Sequence, residues 1–210
     1  MCYLFQDLKG ESFMKLIVKP LAKDSVLEYL DFFDNRAFSD TDKNGPCYCT
    51  CPTQTSVEID EMVKQFSGDI KKTLRIHAKK MLEEGRINGY LAYDNDIVVG
   101  WCNAGNIENY IENRYQFIPD FARNKIIGKT MSVVCFSISP TYRGNGVSTA
   151  LLEKVVFDAK NQGYAAVEGY IHVGKQKYDM DFKGPMRLYE KLGFTPAYEY
   201  EGVVIMRKTL

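Results

Sequence analysis

Hydrophobic residues follow a helical period in three segments of the first 87 positions of the chain. The first helix is predicted to begin near Ser25, and Glu28 three residues later completes the pattern of a capping box. Its inward-facing positions are Val26, Leu30, Phe33 and Ala37. Two further helices are predicted at about residues 56–67 and 69–84, and Gly85 closes the second.

From about residue 90 the pattern changes to runs rich in β-branched and aromatic residues, which predict strands. Residues 90–93 and 97–102 would form a hairpin across residues 94–96. A long central strand is predicted from Thr130 to Ile138. The remaining predicted elements are a strand at 165–171, a short helix at 185–192 and a final strand at 203–207. This order indicates a mixed α/β layer fold without internal repeats.

Composition favours one globular domain that binds a small molecule. The 210 residues are 45% hydrophobic and 26% charged, enough to bury a full core. The 27 basic and 27 acidic residues balance, so neither a nucleic-acid surface nor a membrane patch is expected. Met14 would serve as a start, so we expect an N-terminal extension at residues 1–13 and a single domain at 14–210. Six cysteines without a signal peptide predict reduced thiols in the cytoplasm.

A glycine-rich turn carries the clearest chemical signal. Arg143 to Gly146 join the central strand to an amphipathic helix that begins at Val147. A helix N-terminus has unpaired N–H groups and partial positive charge, so it binds anions. Gly144 and Gly146 open the backbone to a phosphate, although an ordinary glycine turn is the alternative. A Walker lysine and a G-x-G-x-x-G sequence are both missing, which sets aside those two nucleotide folds.

Two segments in this order resemble the GNAT acetyltransferase family. "CFSISPTYRGNGVSTALLEKVV" at 135–156 resembles its acetyl-CoA-binding motif, and "RLYEKLGF" at 187–194 resembles its second motif. The resemblance is strongest from about residue 88 onward. Residues 14–38 are similar to the family's first strand and helix, whereas 39–87 are poorly covered. The resemblance implies a central, mostly antiparallel sheet flanked by helices.

The resemblance also implies direct acetyl transfer from acetyl-CoA to a small-molecule amine, without a metal. Tyr189 matches the family's general acid for the departing thiolate, although a core tyrosine would fit the same apolar stripe. The donor would bind Phe136, Ile138, Arg143, Gly144, Asn145, Gly146, Val147 and Ser148. The acceptor wall would include Asp34, Asn35 and Phe38. Homodimers are common in the family.

The general base is the least determined part of the predicted site. Glu168 lies in the apolar run "AAVEGYIH", and a carboxylate in a buried strand needs a reason to be there. A salt bridge would also explain Glu168, and His172 or a water chain could take the proton instead. Cys135 is rejected as a nucleophile, because a cysteine in an apolar run usually packs as a small hydrophobe.

Two departures from the family pattern and one unusual cluster leave alternatives open. Thr141 replaces a polar Gln or Arg, and "DFKGPMRLY" lacks the usual Asn, which puts one CoA contact in doubt. Lys183 and Arg187 are expected on a solvated helix face, from which either could meet the CoA phosphates.

Three alternating cysteines form an unusual cluster, Cys47, Cys49 and Cys51. They predict either an extended segment with thiols on one face or a zinc site. A non-catalytic acetyl-CoA binder and a zinc-stapled interaction protein are therefore the alternative functions.

Overall fold

The computed structural model describes residues 2–6, 13–40, 47–66, 68–173 and 182–210. Within these ranges the helices are α1 Val26–Asn35, α2 Ser56–Lys64, α3 Ile70–Glu83, α4 Asp120–Arg123, α5 Val147–Asn161 and α6 Met186–Lys191. The strands are β1 Cys2–Gln6, β2 Phe13–Pro20, β3 Gly89–Asp94, β4 Ile97–Asn106, β5 Thr130–Ile138, β6 Ala166–His172, β7 Thr195–Tyr200 and β8 Val203–Thr209.

One sheet contains all of these strands, in the order β1-β2-β3-β4-β5-β6-β8-β7. Neighbouring strands are antiparallel except for β5 and β6, which are parallel. Helices pack on both faces of the sheet, so each face has its own hydrophobic core. The core under α5 and α6 includes Leu151, Val155 and Tyr189. The core under α1 and α3 includes Leu30, Met81 and Trp101. The predicted mixed, mostly antiparallel fold is confirmed.

The pairing between β5 and β6 stops before either strand ends. Its four residue pairs run from Thr130 opposite Ala166 to Val133 opposite Gly169. Beyond them β5 continues to Ile138 and β6 to His172 without pairing to each other. We call the space between residues 134–138 of β5 and 170–172 of β6 the gap. It opens at the centre of the sheet, beside the start of α5.

Three local predictions were wrong. The Ser25 side chain does not cap α1, because Ser25 ends a 3-10 turn and the Glu28 carboxylate accepts a hydrogen bond from Tyr93. A capping box does form at α2, between Thr55 and Glu58. Strands β1 and β7 lie where no strand was predicted.

The core positions predicted for α1 are buried, and the limits predicted for β5 are confirmed. Across the described ranges, none of the helices has the length and apolar character needed to cross a membrane.

Candidate active site

The phosphate loop, residues 143–148, has the backbone geometry of an anion site. Gly144 and Gly146 both adopt φ of 81°, a left-handed conformation that favours glycine. No side chain caps α5, and the first backbone hydrogen bond into the helix runs from Ala150 N to the Gly146 carbonyl. Among the described residues, the amides of Gly144, Gly146, Val147, Ser148 and Thr149 therefore have no backbone acceptor. A phosphate would satisfy several of them at once.

Arg143 is held beside this loop by its own contacts. Its Nη1 lies 2.5 Å from a carboxylate oxygen of Asp40, which follows the end of α1. Its Nε donates to the Ile138 carbonyl at 3.2 Å. Both charged side chains are about half exposed, so this ion pair is a weak one that an incoming phosphate can compete with.

Two amides on β5 point into the gap. Ser139 N donates to the Val99 carbonyl on the β4 side, and successive residues of a strand direct their amides to opposite sides. Phe136 and Ile138 therefore direct theirs toward β6, as the resemblance implies for a pantetheine-binding strand. The Phe136 amide donates to the carbonyl of Phe182 at 2.6 Å. The chain's own backbone thus occupies this donor.

Tyr189 lies against β6 on the α5 and α6 face. Its side chain is fully buried, and its hydroxyl donates to the Lys183 carbonyl at 2.9 Å. Its ring covers Gly169, where an added Cβ would come within 2.3 Å of the ring. Phe194 meets the same ring edge-on, at a centroid distance of 5.3 Å. The hydroxyl therefore points to the same short segment that occupies the Phe136 amide.

The expectation of a solvated Lys183 was wrong. Only 3% of this residue is exposed, and its Nζ donates to the Phe117 carbonyl at 2.9 Å. Lys183 precedes α6, so the helical spacing that put it on a solvated face does not apply to it. Sequence reasoning gave no role to Phe182 or Gly169 either, because their contacts depend on residues far apart in the chain.

Glu168 lies on the opposite face of β6 from Tyr189, in a closed polar network. Arg207 donates to its Oε1 at 2.6 Å, and Tyr170 donates to its Oε2 at 3.3 Å. Burial raises the pKa of Glu168, and the bond to Arg207 opposes that rise. The Tyr170 hydroxyl also meets Ser132 at 2.7 Å. The salt bridge considered for Glu168 is therefore present.

The pairing register sets the distance of Glu168 from the Phe136 amide. Glu168 stands opposite Ser132, four residues before Phe136 on β5. At about 3.3 Å per residue, this is about 13 Å along the strand. The structure thus brings Tyr189 and the Phe136 amide toward the same segment, but it leaves Glu168 inside the β5–β6 pairing, one residue pair before the gap.

The predicted acceptor residues lie at the end of α1, where they have partners. Asp34 pairs with Arg75 at 2.7 Å and accepts a hydrogen bond from Tyr48. Asn35 is exposed and donates to Asp31. Phe38 is half-buried, and its ring packs against Phe33. Asp34 is therefore engaged in holding α1 to its neighbours.

The cysteine segment, residues 47–54, is not extended as the alternating pattern suggested. Cys49 adopts φ of 50° and residues Cys51–Thr53 form a 3-10 turn, so the three thiols do not share one face. Cys49 is buried and Cys47 is exposed. Hydrogen bonds from Cys135 and from Asn103 lower the pKa of the Cys49 thiol, against the effect of burial. In the part of the chain described, no group of three or more His, Cys, Asp or Glu residues could hold a metal ion.

Several solved structures have a similar fold at low sequence identity. Mosquito arylalkylamine N-acetyltransferase like 5b has a TM-score of 0.53 at 15% identity, covering 93% of this chain and 100% of that one. The GNAT domain of PAT from S. lividans has a TM-score of 0.54 at 14% identity, covering 100% and 96%. PaiA N-acetyltransferase from Thermoplasma acidophilum, solved in complex with coenzyme A, has a TM-score of 0.50 at 14% identity, covering 94% and 100%. At such identities the likeness shows the fold alone.

One curated protein has a shorter stretch of similarity. The soluble interferon alpha/beta receptor OPG204 of variola virus is 31% identical over 88 residues. The match covers 40% of this chain and 24% of that protein, so the chain spans about a quarter of the relative's length. It carries no conclusion about activity.

A family model decides the assignment. The model described as an acetyltransferase (GNAT) domain matches residues 86–196, which is more than half of the chain. The matched range contains the phosphate loop, the gap and Tyr189, the features that the geometry connects. The chain therefore belongs to the GNAT acetyltransferase family.

Proposed function

We propose that this protein transfers the acetyl group of acetyl-CoA directly to the primary amine of a small molecule, with both substrates bound together. One observation carries the proposal: the Phe136 amide and the Tyr189 hydroxyl donate to consecutive carbonyls, those of Phe182 and Lys183. Two hydrogen-bond donors thus reach one short stretch of the gap. A thioester in that place would meet both of them.

The phosphate loop supports acetyl-CoA as the donor. Its free amides and the adjoining Arg143 suit a pyrophosphate, and no side chain of the loop blocks them. The Phe136 and Ile138 amides lie on β5, just before the phosphate loop. They suit the amide groups of pantetheine, which would line the gap as an added strand. Phe182 has to leave the Phe136 amide for this to happen.

Tyr189 is the proposed general acid. The amine nitrogen attacks the thioester carbon, the C–S bond breaks, and the departing thiolate takes the phenol proton. A phenol with a pKa near 10 can protonate a thiolate whose conjugate acid has a pKa near 8.5 when the two are in hydrogen-bond contact. The Phe136 amide would stabilise the negative charge that develops on the carbonyl oxygen.

Glu168 is the proposed general base, acting at a distance. Burial raises the pKa of Glu168 above its ordinary value, which makes the carboxylate a better proton acceptor than an exposed one. Because Arg207 and Tyr170 occupy its oxygens, a proton lost by the amine would have to reach Glu168 through the Tyr170 hydroxyl or through water. Direct loss of the proton to water is the alternative.

Replacement of Tyr189 by Phe tests the proposal. Loss of a general acid typically lowers kcat about 100-fold or more, whereas the binding of acetyl-CoA should persist. Tyr29→Phe is a matched control, because Tyr29 is also fully buried and also donates to a backbone carbonyl, that of Tyr48. CoA release with a panel of primary amines measures activity, and calorimetry measures acetyl-CoA binding.

The outcomes separate the three functions left open by the sequence. If wild type binds acetyl-CoA but acetylates no amine in the panel, the protein is a non-catalytic acetyl-CoA binder. A stoichiometric zinc lost on Cys49→Ser would support the interaction protein. Free thiols are present at Cys47, Cys49, Cys51, Cys102 and Cys135, in keeping with the cytoplasmic location that we propose. A homodimer, and a domain of residues 14–210 preceded by an extension, stay predictions.

A further inference from the structure

Lys183 passes through the sheet at the gap. Its carbonyl accepts the Tyr189 hydroxyl, which belongs to the core under α5 and α6. Its Nζ reaches Phe117 and Tyr170, which belong to the opposite core, under α1 and α3. The two ends of one residue therefore lie on different faces of the sheet. The side chain between them lies where an acceptor could approach the thioester from the face opposite the acid.

The surroundings of the Lys183 ammonium suit a cation. A buried ammonium is costly unless hydrogen-bond acceptors surround it. The Phe117 carbonyl accepts from Nζ at 2.9 Å, and the Tyr170 ring centroid lies 5.9 Å from the same atom. A cation within about 6 Å of an aromatic ring is attracted to the ring face. Both groups keep their places without Lys183, since Phe117 offers its backbone and the Tyr170 hydroxyl is held by Ser132.

The Lys183 backbone occupies the position where transfer would take place. Its Cα lies between the Phe182 carbonyl, which meets the Phe136 amide, and its own carbonyl, which meets Tyr189. These two donors are the groups to which the proposed function assigns the thioester oxygen and sulfur. From that Cα, the four-carbon stem of lysine leads to the ammonium. Lys183 thus connects the transfer position to a cation site across the sheet.

We propose that the Phe117 carbonyl and the Tyr170 ring form a subsite for the distal ammonium of a linear diamine acceptor. The inference rests on the proposed function and names its substrate class. A diamine with about four methylenes would place its reacting amine between Phe136 and Tyr189 while its second ammonium takes the place of the Lys183 Nζ. In the ligand-free chain, Lys183 fills this subsite. Donor binding, which displaces Phe182 from the Phe136 amide, would draw the neighbouring Lys183 away from it.

The test compares putrescine, which has four methylenes, with n-butylamine, which has the same chain but lacks the second ammonium. The ratio of their kcat/KM values in one enzyme cancels any general loss of activity. A desolvated cation–π contact contributes roughly 2 kcal/mol, about 30-fold in this ratio. Ethylenediamine, which is too short to reach the subsite, should resemble n-butylamine.

Substitutions at Tyr170 assign the preference to the subsite. Tyr170→Leu should lower the putrescine to n-butylamine ratio by about 30-fold, because it removes the ring face and leaves only the Phe117 carbonyl. Tyr170→Phe keeps the ring and removes the hydroxyl, so its ratio should stay above that of the leucine variant. A ratio near one in wild type, with both amines acetylated, overturns the subsite and leaves the proposed function standing. An unchanged ratio in Tyr170→Leu also overturns it.

Direct binding keeps the inference testable if no amine is acetylated, in which case the proposed function fails. Lys183→Ala vacates the subsite, and calorimetry then compares putrescine with ethylenediamine without any turnover. The subsite is supported if Lys183→Ala binds putrescine more tightly than ethylenediamine and if adding Tyr170→Leu weakens putrescine binding about threefold or more. Equal affinities, or no binding of either diamine, overturn it.

Discussion

Gly169→Ala should displace Tyr189 and leave the phosphate loop and the Phe136 amide in place. Gly169 lies in the middle of β6 under the Tyr189 ring. A Cβ at this position would lie 2.3 Å from Cε1, 2.5 Å from Cζ and 2.6 Å from the hydroxyl oxygen of Tyr189. Ordinary contact begins at 3.4 Å, so the ring has to retreat by 3.4 − 2.3, or about 1.1 Å. Misplacement of a catalytic group by 1 Å can cost about 100-fold in rate.

The expected result is a fall in kcat of about 100-fold with little change in the affinity for acetyl-CoA. The added methyl group overpacks the core, and this should lower the free energy of unfolding by about 1–3 kcal/mol. Release of CoA at saturating substrate measures kcat, and urea unfolding confirms that the variant is folded at the assay temperature. Gly105→Ala is the control, since its nearest contacts of 3.2 and 3.3 Å need only a few tenths of an ångström to relax.

A double mutant shows whether Gly169 acts through the phenol. If it does, Gly169→Ala should lower kcat far less in a Tyr189→Phe background than in wild type, because the acid is already gone. Equal losses in the two backgrounds would refute this reasoning. So would a Gly169→Ala enzyme with the kcat of wild type.

Three further predictions concern charged groups and thiols. Arg143→Gln should raise the KM for acetyl-CoA about 10-fold, as expected for one charge-assisted hydrogen bond, whereas Asp40→Asn should not raise it; steady-state kinetics measures both. The pKa of Glu168 is raised above its ordinary value of 4.5, so the folded protein holds this proton more tightly than the unfolded chain does. The free energy of unfolding of wild type should therefore fall relative to that of Glu168→Gln as the pH rises from 4.5 through the raised pKa. Urea unfolding across that range measures both free energies, and a constant difference between them would contradict the prediction. Cys135→Ala should raise the pKa of the Cys49 thiol, because it removes the hydrogen bond that lowers this pKa most. The alkylation rate of Cys49, measured as a function of pH, should then rise at a higher pH than in wild type, and an unchanged pH profile would contradict the prediction.

The sequence predicted those elements whose signals are local. Thr130–Ile138 is a run of apolar, β-branched and small residues without Gly, Pro or charge, and its limits agree with β5. By contrast, β7 is exposed at nearly every position and contains Pro196, so it has no alternating pattern to detect. Ser25 and Glu28 have the right spacing for a capping box, but the tertiary contact with Tyr93 takes Glu28. Such a contact cannot be read from spacing.

The same distinction applies to the site. Gly144 and Gly146 identify the phosphate loop because backbone conformation alone requires them. The gap arises where the β5–β6 pairing ends, and this depends on register between residues more than thirty positions apart. Lys183 looked like a surface residue, since nothing near it in sequence shows that its ammonium reaches Phe117 across the sheet.

The short β5–β6 pairing has a mechanical consequence. Strands β1–β5 and β6–β8 form two blocks of the sheet, and the four residue pairs between β5 and β6 are the strand pairing that joins them. A ligand that lies along the gap and bonds both strands would act as a missing strand and fasten the blocks together. At a concentration 100 times its Kd, such a ligand adds about 2.7 kcal/mol to the free energy of unfolding. Acetyl-CoA would then be a structural member of the fold as well as a reactant, and each turnover would loosen and retighten the centre of the sheet.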